Sequence, residues 1–163
     1  MRIEERMKEL GVPLHELPKM PEHFRRVFPF VRVSGNRAWI SGHGATNPDG
    51  SMYPKLGKVG TDLTKEEAYE AARLTGLAII ASLKEELGDL DRVKCWVRVF
   101  GMVNVASGFK EMPSVINGFS DLIIEIWGEE AGQQARSAVG MAELPFGIPV
   151  EIEAEVELTN QLR

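Results

Sequence analysis

Residues 135–158 read ARSAVGMAELPFGIPVEIEAEVEL, and this stretch decides the fold. In its second half, apolar side chains occupy the even positions from Ile148 to Leu158, and four glutamates occupy odd positions from Glu151 to Glu157. An alternation with a period of two predicts a β-strand over 148–158 with one buried face. The first half predicts another strand near 135–142, and the proline and glycine of the segment between them mark a connection.

The rest of the chain supplies two long helices and three more strands. A helix is predicted over 65–87, where Thr64 and Glu67 have the spacing of a capping box. Another is predicted over 113–127, because Pro113 suits a helix start and Gly128 a helix end. The remaining strands are predicted near 30–34, 37–41 and 92–103. The resulting order, ββαβαββ, predicts an α+β fold with a mixed sheet and both helices on one face.

The N-terminal region differs in composition from the rest. Residues 2–10 have apolar side chains at helical spacing, and residues 13–29 contain four prolines. We expect a short helix followed by an irregular arm that packs on its own domain or on a neighbouring subunit. A length of 163 residues predicts a single domain over 1–163, with the helix and arm in 1–29 and a core over 30–158.

Composition and charge exclude several classes of protein. The net charge is −5, and no basic cluster is interleaved with aromatic residues, which makes a nucleic-acid partner unlikely on electrostatic grounds. No apolar run approaches the roughly 18 residues that span a bilayer, so no membrane association is expected. The charged start has no apolar segment behind it, and the one cysteine, Cys95, cannot form an intrachain disulfide. These features predict a cytoplasmic protein, with Cys95 in the core.

Two of the predicted strand faces raise questions of burial and charge. Trp39, Trp96 and Phe100 make a strand face too apolar for water, so we expect other subunits to cover it. The four glutamates of the last strand repel one another along one row. They form a solvated face, or they pair with cations across a strand pair, for which the candidates are Arg92, Lys94 and Arg98.

Arg136 stands at the start of an otherwise apolar strand. It is either a surface charge or a fixed guanidinium that binds a carboxylate in a bidentate manner.

Residues 135–158 also resemble the C-terminal signature of the RidA/YjgF family, which is also called the endoribonuclease L-PSP family. The 15-residue spacing from Arg136 to Glu151 agrees with the family pattern. Upstream, Ile40-Ser41-Gly42 is similar to the family's Thr-Ser-Gly strand end, and Val115-Ile116-Asn117 is similar to its Val-Asn helix start. The resemblance covers residues 28–158, and the long arm is similar to that of a longer-chain branch of the family.

This resemblance implies a chorismate-mutase-like fold and a homotrimer with three clefts between subunits. It implies hydrolysis of reactive 2-imino or enamine acids to 2-keto acids and ammonia, with no metal and no organic cofactor. By position, Arg136 would bind the carboxylate of a small metabolite, and Glu151 would orient or deprotonate water or relay a proton. Ser41, Gly42, Asn117 and Phe28 would shape the pocket.

Three positions depart from the family pattern. Phe28 stands where a tyrosine is frequent, so a hydroxyl donor is lost. Ala138 replaces a frequent cysteine, which excludes thiol chemistry there. His43 replaces a frequent glutamine and is either a surface residue or a group of the cleft.

Three functions fit these observations. The leading one is a cofactor-independent imine or enamine deaminase. The second is a non-catalytic protein that binds a small carboxylate metabolite, which would keep Arg136 without needing Glu151. The third, suggested by the family's older name, is an endoribonuclease or translation inhibitor, which the acidic charge disfavours.

Overall fold

The computed structural model describes residues 2–159, and in that range its helices and strands confirm the predicted ββαβαββ order. Short 3₁₀ turns cover Leu90–Arg92 and Pro145–Gly147. The regular elements are α1 (Ile3–Glu9), β1 (Val31–Ser34), β2 (Arg37–His43), α2 (Lys65–Leu87), β3 (Val93–Asn104), α3 (Met112–Gly132), β4 (Ala135–Met141) and β5 (Val150–Leu158).

The five strands form one mixed sheet in the order β1-β2-β5-β3-β4. The β3–β4 pair is parallel and the other pairs are antiparallel. α2 packs on β2 and β5, and α3 packs on β3 and β4, so both helices cover one side, the helix face. The opposite side of the sheet is the open face. The predicted α+β architecture, with a mixed sheet and both helices on one face, is therefore confirmed.

Local signals set the bounds of the long helices. Thr64 and Glu67 form the predicted capping box, with hydrogen bonds of 3.1 and 2.9 Å, and α2 has the predicted bounds. In α3, Gly128 has a φ of 80°, which interrupts the helix at the predicted end, and one more turn follows to Gly132. Gly118 lets the two helices touch, because a Cβ there would lie 2.0 Å from the carbonyl oxygen of Tyr69. This close contact holds α2 and α3 in one layer over the sheet.

The open face differs from the predicted one at two residues. Trp96 is buried on the helix face, where its ring meets the rings of Phe119 and Trp127 edge to face at 5.6 and 5.3 Å. Cys95 lies half-buried on the open face, with its Sγ 3.6 Å from Glu157. The register between β3 and β5 shifts on both sides of this pair, and each bulge reverses the alternation of side chains. The predictions for Trp96 and Cys95 were therefore wrong.

The arm packs on its own chain, along the loop that follows β2. The amides of Glu16 and Lys19 donate to the carbonyls of Pro48 and Gly50, each at 2.9 Å. No helix in the described range is long and apolar enough to cross a bilayer.

Candidate functional site

A cavity of about 320 Å³ opens beside the start of β5. Three of the predicted site residues line it, Glu151, Gly42 and Phe28, and so does His43. The arm supplies much of the remaining wall, which the sequence analysis missed. The sequence did contain a signal for this role, because the arm carries apolar phenylalanines between its prolines that can line a cavity. The other lining residues are Pro18, Lys19, Met20, Pro21, Phe24, Phe30, Gly44, Ala45, Thr46, Met52, Pro145, Phe146 and Ile148.

Glu151 is the ionisable group of this cavity that has no partner. Its side chain is half-buried and makes no hydrogen bond or ion pair with any other residue of the range 2–159. Burial raises the pKa of Glu151 above the usual range, and the neighbouring charge of Glu153 raises this pKa further. A carboxyl group with a raised pKa can both accept and donate a proton closer to neutral pH.

Gly42 makes room for this carboxylate. In the β2–β5 ladder, Ile40 pairs with Ala154 and His43 pairs with Ile152, so two residues of β2 lie opposite the single residue between them on β5. This bulge brings Gly42 against the side chain of Glu151. A Cβ on Gly42 would lie 2.5 Å from Oε2 and 2.9 Å from Cδ of Glu151. The glycine is thus required by the position of the carboxylate.

His43 is a buried structural residue at the wall of the cavity. Its Nδ1 lies 2.6 Å from the carbonyl oxygen of Ser41, which can only accept, so Nδ1 carries the proton. Its Nε2 then accepts from the hydroxyl of Ser82 on α2, at 2.8 Å. Burial lowers the pKa of His43 to about 4, so the ring is neutral at pH 7 and ties β2 to α2. His43 is therefore not a surface residue, and it lines the Glu151 cavity.

Ser41 does not reach this cavity. Its hydroxyl donates to the carbonyl of Pro29 at 2.8 Å. It lines a second depression of about 490 Å³ on the open face, together with Trp39, Arg98 and Phe100. Trp39 is 45% exposed there, as the prediction of a bare apolar face requires.

Arg136 lies on β4 at the opposite edge of the sheet, and its hydrogen-bond partners are on α3, the helix that carries Asn117. The Nη1 atom of Arg136 donates to Ser120 Oγ at 3.0 Å, and its Nη2 atom donates to the carbonyl of Pro113 at 3.2 Å. Asn117 is exposed on α3, and along the chain it lies between Pro113 and Ser120. Two hydrogen bonds to α3 fix the guanidinium, and it forms no ion pair with any residue in the described range.

A single chain does not bring Arg136 and Glu151 together. β3 lies between their strands, with Val99 opposite Arg136 and Met102 opposite Glu151. Positions three apart on a regular strand face opposite sides, so Arg136 faces the helices and Glu151 faces away from them. The predicted residues therefore form two separate groups, one at the cavity and one at the edge strand and α3, and Ser41 belongs to neither.

The glutamates of β5 differ in their partners. Arg37 binds Glu155 at 2.6 Å and Lys94 binds Glu157 at 3.0 Å, so Lys94 supplies a cation as predicted, and Arg37 was missed. Across residues 2–159, Arg92 and Arg98 form no ion pair, and neither do Glu151 and Glu153. At one end of the row, cations therefore neutralise Glu155 and Glu157. At the other end, Glu151 and Glu153 have no cationic partner within the described residues. No group of three or more metal-ligating side chains is placed to hold a metal ion in the same range.

Comparison with known proteins gives consistent matches. Residues 14–148 match the family model described as "YjgF/chorismate_mutase-like, putative endoribonuclease", a range that includes Arg136 and ends before Glu151. The chain is similar to Protein TCP17 of Trypanosoma cruzi, with 39% identity over 159 residues that cover 98% of this chain and 96% of that one.

Two solved structures share the fold over almost the whole chain. One is the protein Atu1372 from Agrobacterium tumefaciens, of unknown function, with 36% identity, a TM-score of 0.84, and coverage of 97% of this chain and 94% of that one. The other is a protein from Shewanella oneidensis described as a "putative endoribonuclease". It has 30% identity, a TM-score of 0.85, and coverage of 97% and 100%. These matches include the arm as well as the sheet and helices.

Proposed function

The chain belongs to the YjgF/chorismate-mutase-like family, and we propose that it hydrolyses reactive 2-imino or enamine acids to 2-keto acids and ammonia. One observation carries this proposal: a half-buried carboxylate, Glu151, stands unpartnered within the described range at the wall of a small, mainly apolar cavity. Unpartnered buried carboxylates with raised pKa values are typical of acid–base groups at functional sites.

The chemistry needs no more than one such group. A protonated imine has an electrophilic carbon, so water suffices as the nucleophile when a base takes its proton. Glu151 accepts that proton as the C–O bond forms, and then donates it to the nitrogen of the tetrahedral intermediate. The C–N bond breaks, ammonia leaves, and loss of the hydroxyl proton gives the 2-keto acid. A carboxyl group with a raised pKa suits both proton transfers.

We further propose that the working site lies between subunits of a homotrimer. Arg136 and Glu151 face opposite sides of the sheet, so a site that uses both needs a second copy of the chain. The guanidinium of Arg136, fixed by Ser120 and Pro113, would bind the substrate carboxylate from the neighbouring subunit. The exposed Trp39 on the open face supports assembly through that face.

The deciding experiment compares Glu151→Gln with Glu153→Gln. Both glutamates lie on one face of β5, but only Glu151 lines the cavity. With an imine generated in situ by an amino-acid oxidase, Glu151→Gln should lower the rate about 10²–10⁴-fold, the usual contribution of a positioned acid–base group. The maximal rate of the Glu153→Gln variant should equal that of the wild-type protein. Wild-type rates in both variants would leave the metabolite-binding protein as the better account.

RNA cleavage is the weaker alternative. The net charge of −5 and the carboxylates along β5 repel a phosphate backbone. A cavity of 320 Å³ also fits a metabolite better than a nucleotide chain.

A further inference from the structure

We propose that the arm (residues 13–29) builds a side-chain subsite in the Glu151 cavity that selects imino acids with bulky apolar or aromatic side chains over small ones. The reaction named here rests on the proposed function. The binding preference does not, because it follows from the walls of the cavity alone.

The walls are apolar on both sides. The arm contributes Met20, Pro21 and Phe24 to the lining, and residues from other parts of the chain contribute Met52, Phe146 and Ile148. Its volume of about 320 Å³ is at the small end of ligand pockets, which suits a molecule the size of an amino acid. Glu151 is the acidic group of this lining, so the cavity combines one carboxylate with a mainly apolar wall.

Two aromatic rings form part of the apolar wall. Phe24 and Phe146 meet edge to face, with ring centroids 5.6 Å apart. Phe146 has a φ of 60°, which is unusual for a residue with a side chain and costs on the order of 1 kcal/mol or more. Phe24 is 39% exposed and Phe146 46% exposed, so both rings keep surface that an apolar ligand can cover.

Contacts within the chain hold the first part of the arm in place. Besides the two backbone hydrogen bonds from Glu16 and Lys19, the His15 ring lies 3.1 Å from the hydroxyl of Thr46, a residue of the cavity wall. Gly50 is packed so closely that a Cβ on it would lie 2.3 Å from the carbonyl oxygen of Leu17. A wall that is fixed before binding loses little entropy on binding, which favours discrimination by fit.

These features fix the orientation of a bound imino acid. The reacting carbon must lie near Glu151, so its side chain extends toward Phe24 and Phe146. A methyl side chain leaves those rings in water, whereas a benzyl or isobutyl group covers them. Covering apolar surface stabilises a complex by roughly 25 cal/mol per Å², so the larger side chain should bind more tightly.

The test measures binding of two 2-keto acids, phenylpyruvate and pyruvate, by calorimetry, so that it does not depend on turnover. We expect the wild-type protein to bind phenylpyruvate about 10–100-fold more tightly than pyruvate. Phe24→Ala should weaken phenylpyruvate binding about tenfold and leave pyruvate binding unchanged. The matched control is Leu17→Ala, an apolar arm residue that is also 39% exposed but does not line the cavity. It should leave both affinities unchanged.

Phe24→Leu keeps most of the apolar bulk and should retain most of the preference, which separates the loss of a subsite from the loss of the arm's structure. Equal wild-type affinities, or equal losses for Phe24→Ala and Leu17→Ala, would overturn the subsite. Imine hydrolysis without a side-chain preference would leave the proposed function standing and the subsite refuted. A preference for phenylpyruvate without hydrolysis of any imine would refute the proposed function and support the subsite.

Discussion

Replacing Gly42 with alanine should separate the position of the Glu151 carboxylate from the stability of the fold. The added Cβ would lie 2.5 Å from Oε2 of Glu151. Ordinary carbon–oxygen contacts are about 3.3 Å or longer, so the carboxylate has to move by about 0.8 Å. Because the displaced atom is the far end of a flexible side chain, the move costs the fold little. The free energy of unfolding should therefore stay within about 1 kcal/mol of the wild-type value.

The effect on activity should be much larger than the effect on stability. A displacement of about 1 Å at a reacting group can cost about 10²-fold in rate. We therefore expect kcat/KM for an imine substrate to fall by about two orders of magnitude, which corresponds to roughly 2.7 kcal/mol of transition-state stabilisation.

A double-mutant cycle with Glu151→Gln identifies the cause. If the alanine acts through Glu151, it should add little to the loss already caused by Glu151→Gln. A further loss of about 10²-fold in that background, or a wild-type rate in Gly42→Ala alone, would refute this reasoning. Urea denaturation of each variant checks that the fold is retained.

Four further outcomes are expected. Arg136→Lys loses the planar fork, so kcat/KM should fall by the equivalent of about 1.5–3 kcal/mol, and an unchanged value in a folded assembly would remove its role in carboxylate binding. Because the charge of Glu153 helps to raise the pKa of Glu151, Glu153→Gln should move the acidic limb of the pH–rate profile to lower pH. Folding favours neutral His43, whose pKa falls from 6.5 to about 4, so stability should decrease as the pH falls through this window, by at most about 3 kcal/mol. In His43→Gln, the free energy of unfolding measured by urea titration should depend less steeply on pH. An equal slope in the wild type and the variant would exclude the His43 ring as the source of the pH dependence. Light scattering at micromolar concentration should give three times the 18.1 kDa of one chain, and a monomer would remove the site between subunits.

Local patterns in the sequence were enough to predict the elements and their type. The alternation predicted a strand over 148–158, and β5 covers Val150–Leu158 of that range, between β2 and β3, with its apolar face buried under the helices. The Thr64–Glu67 box set the start of α2, and Gly88, with a φ of 74°, follows directly after its last residue. These signals depend on residues a few positions apart, so they act in the same way wherever the segment lies in the fold.

Which side chains meet depends on the tertiary structure. Bulges in β3 turned Trp96 into the core and Cys95 out of it, and strict alternation along one strand cannot reveal them. The bulge in β2 set Gly42 against Glu151, and the sheet order kept Arg136 away from that carboxylate. The arm became a cavity wall because distant backbone groups pair with it. Each of these outcomes depends on register and strand order, which arise from contacts between residues far apart in the chain, and so no local pattern encodes them.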